Sequence, residues 1–333
     1  MVKTLEDLAK KLKISRRTLS RVLKNDKNVS EETREKVEKL LKKENYYPNC
    51  HAASLASKKK TRIIGLVFPR GAFLKADYYT IEILRGVSQI AEENEFEVMF
   101  YTQDHFEANS CIKLYKSKAV GGLILIGAGK DDFKTLRQIK EEEVPFILVN
   151  SHCSQIDSVD CNNKFGAYLA TNYLIKKGRR RIAFIHGHKN WVDAADRFEG
   201  YKLALNEAKI PPNNDYVKFG YFSFEQGAAA TKRLLDLRER PQAIFAANDN
   251  MAMGVISAIK KERLKIPKDI AVIGFDDIPT SFHFNPSLTT VRQPFREIAS
   301  LGTKRLIEVI HRGKGLKAQT KFIEPKLIVR ESA

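Results

Sequence analysis

From Leu5 to Leu12 the apolar residues Leu5, Leu8, Ala9 and Leu12 recur at intervals of three and four, the spacing that lines one face of a helix. Thr4 before this run and Asp7 three residues later predict a capped start. The pattern restarts at Ser15, a second cap, and Leu19, Val22 and Leu23 form the inward stripe of a short helix whose other faces carry Arg16, Arg17, Ser20, Arg21 and Lys24. Ser30 caps a third helix, "EETREKVEKLLKKENYY", with Glu31 and Glu32 in its first turn and Lys42 and Lys43 near its end, as the macrodipole favours. Three short helices joined by tight turns, the second basic and exposed, predict a helix-turn-helix headpiece over residues 1–46.

Pro48 stops the third helix, and "YYPNCHAASLASKKKT" reads as a helix-capable linker over 47–60. Beyond it the pattern changes to short β-rich runs: "RIIGLVFP", "FEVMFY", "GGLILIG", "PFILVN", "RRIAFIHG", "QAIFAAND" and "IAVIGFDD". Amphipathic helices between them begin near Tyr78, Asn162, Ala194, Asp249 and Phe295. Regular alternation of strand and helix predicts α/β architecture, and the strands are too many for one small sheet. Two tandem doubly wound lobes are expected over 61–333, the first from 61–160 plus 293–321 and the second from 161–292 plus 322–333.

Ligands of such sheets bind beyond the carboxyl ends of the strands. Those positions hold Asn150 and Ser151, His186 to Trp191, Asn248 and Asp249, and Asp276 and Asp277. With Tyr78, Tyr79, Trp191 and Phe222 they describe a cleft for a small polyhydroxylated or heteroaromatic molecule. His186 and His188 lack a cysteine or carboxylate at ligand spacing, so a strand-end loop is read there rather than a metal site. "GAGK", Gly127 to Lys130, lacks the third glycine of a dinucleotide turn and is read as a plain turn. Asp193 and Asp196 either meet ligand hydroxyls or, for Asp196, orient Arg197.

Charge then selects the partner. The formal net charge is +18 over 333 residues, and residues 1–60 hold 17 Lys and Arg against 8 Asp and Glu. Half of the excess sits in the headpiece and linker, a footprint that favours nucleic acid first and an anionic membrane second; the rest reads as spread thinly over the core. No apolar run reaches signal-peptide or membrane-spanning length, so a soluble cytoplasmic protein is expected. Cys50, Cys111, Cys153 and Cys161 show no CxxC spacing and are read as reduced structural thiols. No nucleophile elbow, dinucleotide fingerprint or metal constellation occurs, so neither an enzyme nor a cofactor is expected. The alternative class is an enzyme or solute receptor using the same lobes.

The chain resembles the LacI/GalR family of bacterial transcriptional repressors along nearly its whole length. The resemblance rests on "TLEDLAKKLKISRRTLSRVLKND", "VSEETREKVEKLLKKENYYPN", "AASLAS", "FGAYLATNYLIKKGRRRIAFI", "DRFEGY", "ANDNMAMG", "IAVIGFDDIP" and "PKLIVRES", in that order. It implies a hinge helix over the linker, a core resembling a periplasmic sugar-binding protein, and a homodimer on pseudo-palindromic double-stranded operator DNA. Thr4, Ser15, Arg16, Arg17, Thr18, Ser20, Arg21 and Asn25 then become DNA contacts, and Leu55 the hinge leucine wedged into the minor groove. Arg16 and Arg17 occupy positions that vary with operator sequence, and an Arg fork pairs with O6 and N7 of guanine.

In the core the same resemblance implies effector contacts from Tyr78, Tyr79, Asn150, Arg197, Phe222, Asn248 and Asp276; Trp191, a further effector candidate, either lines the cleft mouth or packs the loop. A sugar or polyol is the first choice of effector and a purine or phosphosugar the second. Lys13 replaces the small residue or glycine of the first turn, Cys50 and Ala53 replace hinge arginines, and Asn150 stands where many relatives carry Asp.

Overall fold

The computed structural model describes residues 5–23, 26, 28–44, 61–69, 78–103, 106–313 and 317–333. The chain divides into two units, Met1–Lys60 and Thr61–Ala333. The hinge helix expected over 47–60, with Leu55, Cys50 and Ala53, lies outside the described residues, as do Thr4 and Asn25.

In the first unit, α1 (Leu5–Leu12), α2 (Arg16–Leu23) and α3 (Glu31–Lys43) enclose a small core of Leu8, Ala9, Leu19, Val22 and Val37. Ser15 Oγ accepts from the Thr18 amide at 3.0 Å and Ser30 Oγ from the Thr33 amide at 3.4 Å, so both expected caps form. Each such cap contributes about 1 kcal/mol. Between α1 and α2, Ile14 N–H donates to Ala9 C=O at 3.1 Å and Lys13 N–H to Lys10 C=O at 3.2 Å. This is the bond pair of a left-handed helix stop, and Lys13 occupies its left-handed position at φ +52°. A side chain therefore sits where glycine fits without strain.

The second unit holds two parallel sheets. Its first half runs β1 (Ile63–Pro69), α4 (Tyr78–Glu93), β2 (Glu97–Gln103), α5 (Ala108–Lys116), β3 (Gly122–Ile126), α6 (Phe133–Glu141), β4 (Phe146–Val149) and β5 (Ser158–Cys161). The second half runs α7 (Asn163–Lys176), β6 (Ile182–His186), α8 (Val192–Glu207), β7 (Val217–Phe219), α9 (Phe224–Leu235), β8 (Ala243–Ala246), α10 (Asp249–Lys261), β9 (Ala271–Asp276), α11 (Thr280–His283) and β10 (Thr289–Arg292). Then follow α12 (Phe295–Arg312), β11 (Thr320–Ile323) and β12 (Lys326–Ile328).

The sheet orders are β11-β5-β4-β3-β1-β2 and β12-β10-β9-β8-β6-β7. Among the described strands, only β12 runs antiparallel to its neighbour. Strand alternation explains the double cover: Ile64, Leu66 and Phe68 of β1 pack with α4 and α12, while Val67 packs with the α5 and α6 side. The second sheet is buried the same way, around Phe184, Phe245 and Phe275. The chain passes between the lobes at Cys161–Asn163, Arg292–Phe295 and Ile323–Lys326, because α12 packs on α4 and on β3 to β5 of the first sheet. Both sets of carboxyl ends thereby border one cleft. Among the described residues, no helix is long and apolar enough to cross a membrane.

Candidate functional site

In the headpiece, Leu19 and Val22 anchor α2 inward and leave Ser15, Arg16 and Arg17 exposed at its first turn. Ser15 and Thr18 also share a hydroxyl contact of 2.8 Å, which fixes that end of the helix. Arg21 differs from its two neighbours. Its Nε donates to Asp26 Oδ2 at 2.8 Å, and Asp26 also accepts from the Asn28 amide at 3.0 Å. The Arg21 hydrogen bond, then the Asn28 amide, holds the Asp26 carboxyl below the usual range. Arg34 donates to the Asp26 carbonyl at 3.1 Å, so Asp26 links α2 to α3. Arg21 thus fixes the turn after α2, while Arg16 and Arg17 present unhindered forks.

The cleft is organised by Arg197 on α8, whose side chain is 2 % exposed. Burying a guanidinium is tolerable only when its donors are matched. Nε donates to Asn163 Oδ1 at 2.9 Å, Nη1 to the Ala247 carbonyl at 2.5 Å, and Nη2 to Asp193 Oδ2 at 3.3 Å. The plane lies 4.0 Å from the Phe275 ring centroid and 6.0 Å from that of Phe222. Asp276 Oδ1 stands 3.9 Å from Nη1 and accepts from Gln293 Nε2 at 2.7 Å. Burial drives the Asp276 carboxyl well above its usual pKa against the opposing pull of Arg197, and Asp249 adds to the rise.

Strained backbone surrounds this centre. Asn150, Tyr221, Phe222 and Asp277 have φ between +49° and +61°, and Asp276 has φ +128°. Non-glycine residues hold such angles only where packing over-determines them, and such positions gather at binding sites. Phe222 lies against Gly187, where any Cβ would overlap its ring. Trp191 stands 6.0 Å from Phe222 between centroids. A Cβ placed on Gly127 would be 3.9 Å from both Trp191 and the Tyr79 hydroxyl, so these three residues meet at the cleft.

Among the described residues, two buried acceptors there have no donor: Asn150 Oδ1 and Gln293 Oε1. Their residues are 8 % and 5 % exposed. Gln293 also lines a cavity of about 460 Å³ with Tyr78, Glu82, Pro294 and Phe295. Asn248 contributes differently, since its Oδ1 caps α10 by accepting from the Met251 amide at 2.9 Å.

Gln293 and His152, which the sequence reading did not single out, hold the site together with residues that it named. Gln293 follows the carboxyl end of β10, the same topological position as the predicted residues, and that position was its available signal. Asp249, fully buried, accepts from Ser281 Oγ at 2.6 Å, Thr290 Oγ1 at 2.5 Å and the Ile278 amide at 2.9 Å, fastening the loop that carries Asp276. His152, after β4, places Nδ1 3.0 Å from Asp160 Oδ2 and Nε2 3.8 Å from Asp196 Oδ2 on α8. Asp193, not Asp196, is the carboxylate that orients Arg197. The Gly127 to Lys130 turn does more than reverse the chain: Lys130 N–H donates to the Asn190 carbonyl at 2.8 Å, and Asn190 Nδ2 to Asp131 Oδ2 at 2.7 Å, joining the lobes. His186 packs among Phe184, Phe198 and Phe219, and burial lowers its pKa.

Comparison with known proteins gives this geometry a family. Residues 4–49 match the model for bacterial regulatory proteins of the lacI family, and residues 171–333 match the periplasmic binding protein-like domain. The chain is 32% identical over 331 residues to the probable HTH-type transcriptional repressor ExuR of Bacillus subtilis (strain 168), covering 99% of this chain and 98% of that protein. The chain belongs to the LacI family. A second relative, the ribose operon repressor of Haemophilus influenzae, is 31% identical over 99% of this LacI-family chain and 98% of its own length. Among solved structures, the Lac repressor dimer bound to operator and the anti-inducer ONPF superposes with a TM-score of 0.87 at 27% identity, over 100% of this chain and 99% of that one. The transcriptional regulator CelR in complex with cellobiose gives 0.76 at 29% identity, with 100% coverage of both chains.

Proposed function

We propose that this LacI-family regulator is a homodimeric repressor of a carbohydrate-use operon, controlled by a small sugar or polyol bound between the core lobes. The observation that carries the effector assignment is the pair of buried acceptors that have no donor among the described residues, Asn150 Oδ1 at the carboxyl end of β4 and Gln293 Oε1 beside Asp276. A molecule that fills the cleft must supply donors to them, and vicinal hydroxyls do so while also accepting from guanidinium or amide groups. The lobe-joining contacts at Lys130 and Asn190 then give the ligand a closed state to favour. Differential affinity for open and closed lobes shifts the population able to grip DNA, with no covalent chemistry.

In the headpiece, Arg16 and Arg17 at the exposed first turn of α2 supply base-edge readout in a major groove, and Ser15, Thr18 and Ser20 phosphate contacts. Ile81 on α4 and Phe100 on the edge strand β2 are 41% and 44% exposed, apolar surface that a second copy would cover. The test combines selection of bound duplexes from a random pool with a thermal-shift panel of sugars, polyols, purines and phosphosugars. The expected results are a pseudo-palindromic consensus and a sugar or polyol that both raises the Tm and alters duplex affinity. A ligand at one hundred times its Kd adds about 2.7 kcal/mol. A shift with a purine alone would overturn the effector assignment; an unenriched pool would overturn the repressor.

A further inference from the structure

The charge outside residues 1–60 is not spread thinly over the core. In the second lobe the parallel strands β6, β8 and β9 are neighbours, so the turns entering them lie side by side along the amino edge of one sheet. These turns, residues 176–181, 236–242 and 260–270, hold twelve Lys and Arg against four Asp and Glu. Backbone contacts draw them together: Arg179 donates to the Pro267 carbonyl at 2.8 Å, and Arg181 Nε to the Arg240 carbonyl at 3.0 Å. Among the described residues, none of the twelve cations lies within ion-pair distance of a carboxylate.

Part of this charge has local duties. Lys176, Lys260 and Lys261 lie in the last turns of α7 and α10, where cations complement the helix dipole. Arg179 and Arg181 hold carbonyls of neighbouring turns, and Arg240 holds the Leu235 carbonyl at the end of the preceding helix α9. Arg238, Arg263, Lys265 and Lys268 are exposed and do neither. Arg181 and Arg240 use only Nε in those bonds, so among the described residues the terminal nitrogens of both guanidiniums have no hydrogen-bond acceptor. The architecture does not demand the charge either. The turns entering β3 and β4, the first-lobe counterparts of those entering β8 and β9, are residues 116–121 and 141–145 and hold three Glu against Lys116 and Lys118.

We infer that this amino edge of the second lobe is an electrostatic docking surface for the phosphate backbone of a nucleic-acid duplex, additional to the headpiece helix. Three adjacent strands span about 10 Å, and a duplex presents about six phosphate charges over that length. The excess of eight cations on the edge is of matching size. A protein partner is disfavoured by composition, because such interfaces depend on apolar and aromatic anchors at their centre. Among the described residues, the exposed large apolar ones, including Phe100, Phe165, Tyr221 and Phe282, lie outside these turns.

The experiment compares the full chain with the triple variant Arg238→Glu/Lys265→Glu/Lys268→Glu, whose side chains hold no neighbouring loop, and with the neutral Gln triple variant. Affinity for a random-sequence duplex is measured across a salt series, alongside binding of polyglutamate and the Tm of each protein. The expected result is a Tm close to the parent, random-duplex affinity weakened about tenfold or more, and a salt slope lower by roughly two to three, with the Gln variant intermediate. Unchanged duplex affinity and slope in folded variants would overturn the inference. So would loss of polyglutamate binding without loss of duplex binding, which would assign the surface to acidic protein. If the Glu variant fails to fold, the Gln variant decides on the same readouts.

Discussion

In the first lobe, the carboxyl ends of β3, β4 and β5 bring Gly127, Asn150, His152 and Asp160 to the cleft; in the second, the corresponding ends and α8 bring Asp193, Arg197, Phe222, Asn248 and Asp276. The sheets that carry these two sets share one strand order, since β2-β1-β3-β4-β5 is matched by β7-β6-β8-β9-β10. The second lobe is finished internally: each nitrogen of Arg197 has an acceptor, and Asp249 fastens the Asp276 loop with hydrogen bonds. Among the described residues, the first lobe leaves Asn150 Oδ1 without a donor, as Gln293 Oε1 is left at a crossing between lobes. One topology therefore supports a preorganised anchor on one side and an incomplete acceptor surface on the other. The side chains beyond the strand ends decide which is which.

The largest break in this comparison is Arg197→Ala. It leaves Asp193 and Asp276 buried beside each other without their cation, and the expected loss of core stability is about 3–5 kcal/mol, read by urea unfolding. A loss below 1 kcal/mol would mean that the anchor is not ionic. Gly187→Ala comes next, because the new methyl group overlaps Phe222 and displaces that wall of the second lobe. Overpacking of this kind destabilises by about 1–3 kcal/mol, and thermal unfolding with and without effector should show a lower Tm and a smaller ligand-induced rise.

The third test sits on the boundary between lobes and depends on pH. Burial pushes the Asp196 carboxyl up to about 6. The folded chain then holds a proton that the unfolded chain releases, so this contribution is present below the ordinary carboxylate range and is lost as pH rises through about 6. His152, raised first by its hydrogen bond to Asp160, changes in the same direction: its contribution is complete below the ordinary histidine value and falls as pH passes its raised one. Asp196→Asn should therefore match the parent near pH 4 and exceed its stability at pH 8 by on the order of 2 kcal/mol. Equal stability at pH 8 would remove Asp196 from the buried cluster. The smallest effect on folding is expected for Asn150→Gly, within about 1 kcal/mol, because the amide oxygen it deletes has no partner to lose. Its effector-induced Tm shift should nevertheless fall sharply, and a full shift would take Asn150 out of the ligand shell.

Helix caps at Ser15 and Ser30, the α/β alternation and the strand-end position of Asn150, Asn248 and Asp276 were legible along the chain because each depends on residues close in sequence or on a rule of topology. The pairing of Arg197 with Asp193 was open to the same reading, since i and i+4 share a helix face. Asn163, 34 residues from Arg197, and His152, 44 residues from Asp196, carried no local signal. Their roles arise only when the crossings fold the two lobes against one cleft. Lys13 shows the converse limit: its left-handed φ is imposed by the turn, against the preference of the residue itself.

The sequence by itself determined the three-helix headpiece, the two lobes and the polar ends of the strands, because hydrophobic periodicity and capping are local and repeat at fixed spacing. Tertiary structure alone decided which of those polar groups are satisfied, which are left waiting for a donor, and that the core's surplus cations lie along one sheet edge. Burial and proximity between distant segments set those outcomes, and neither has a period in the chain.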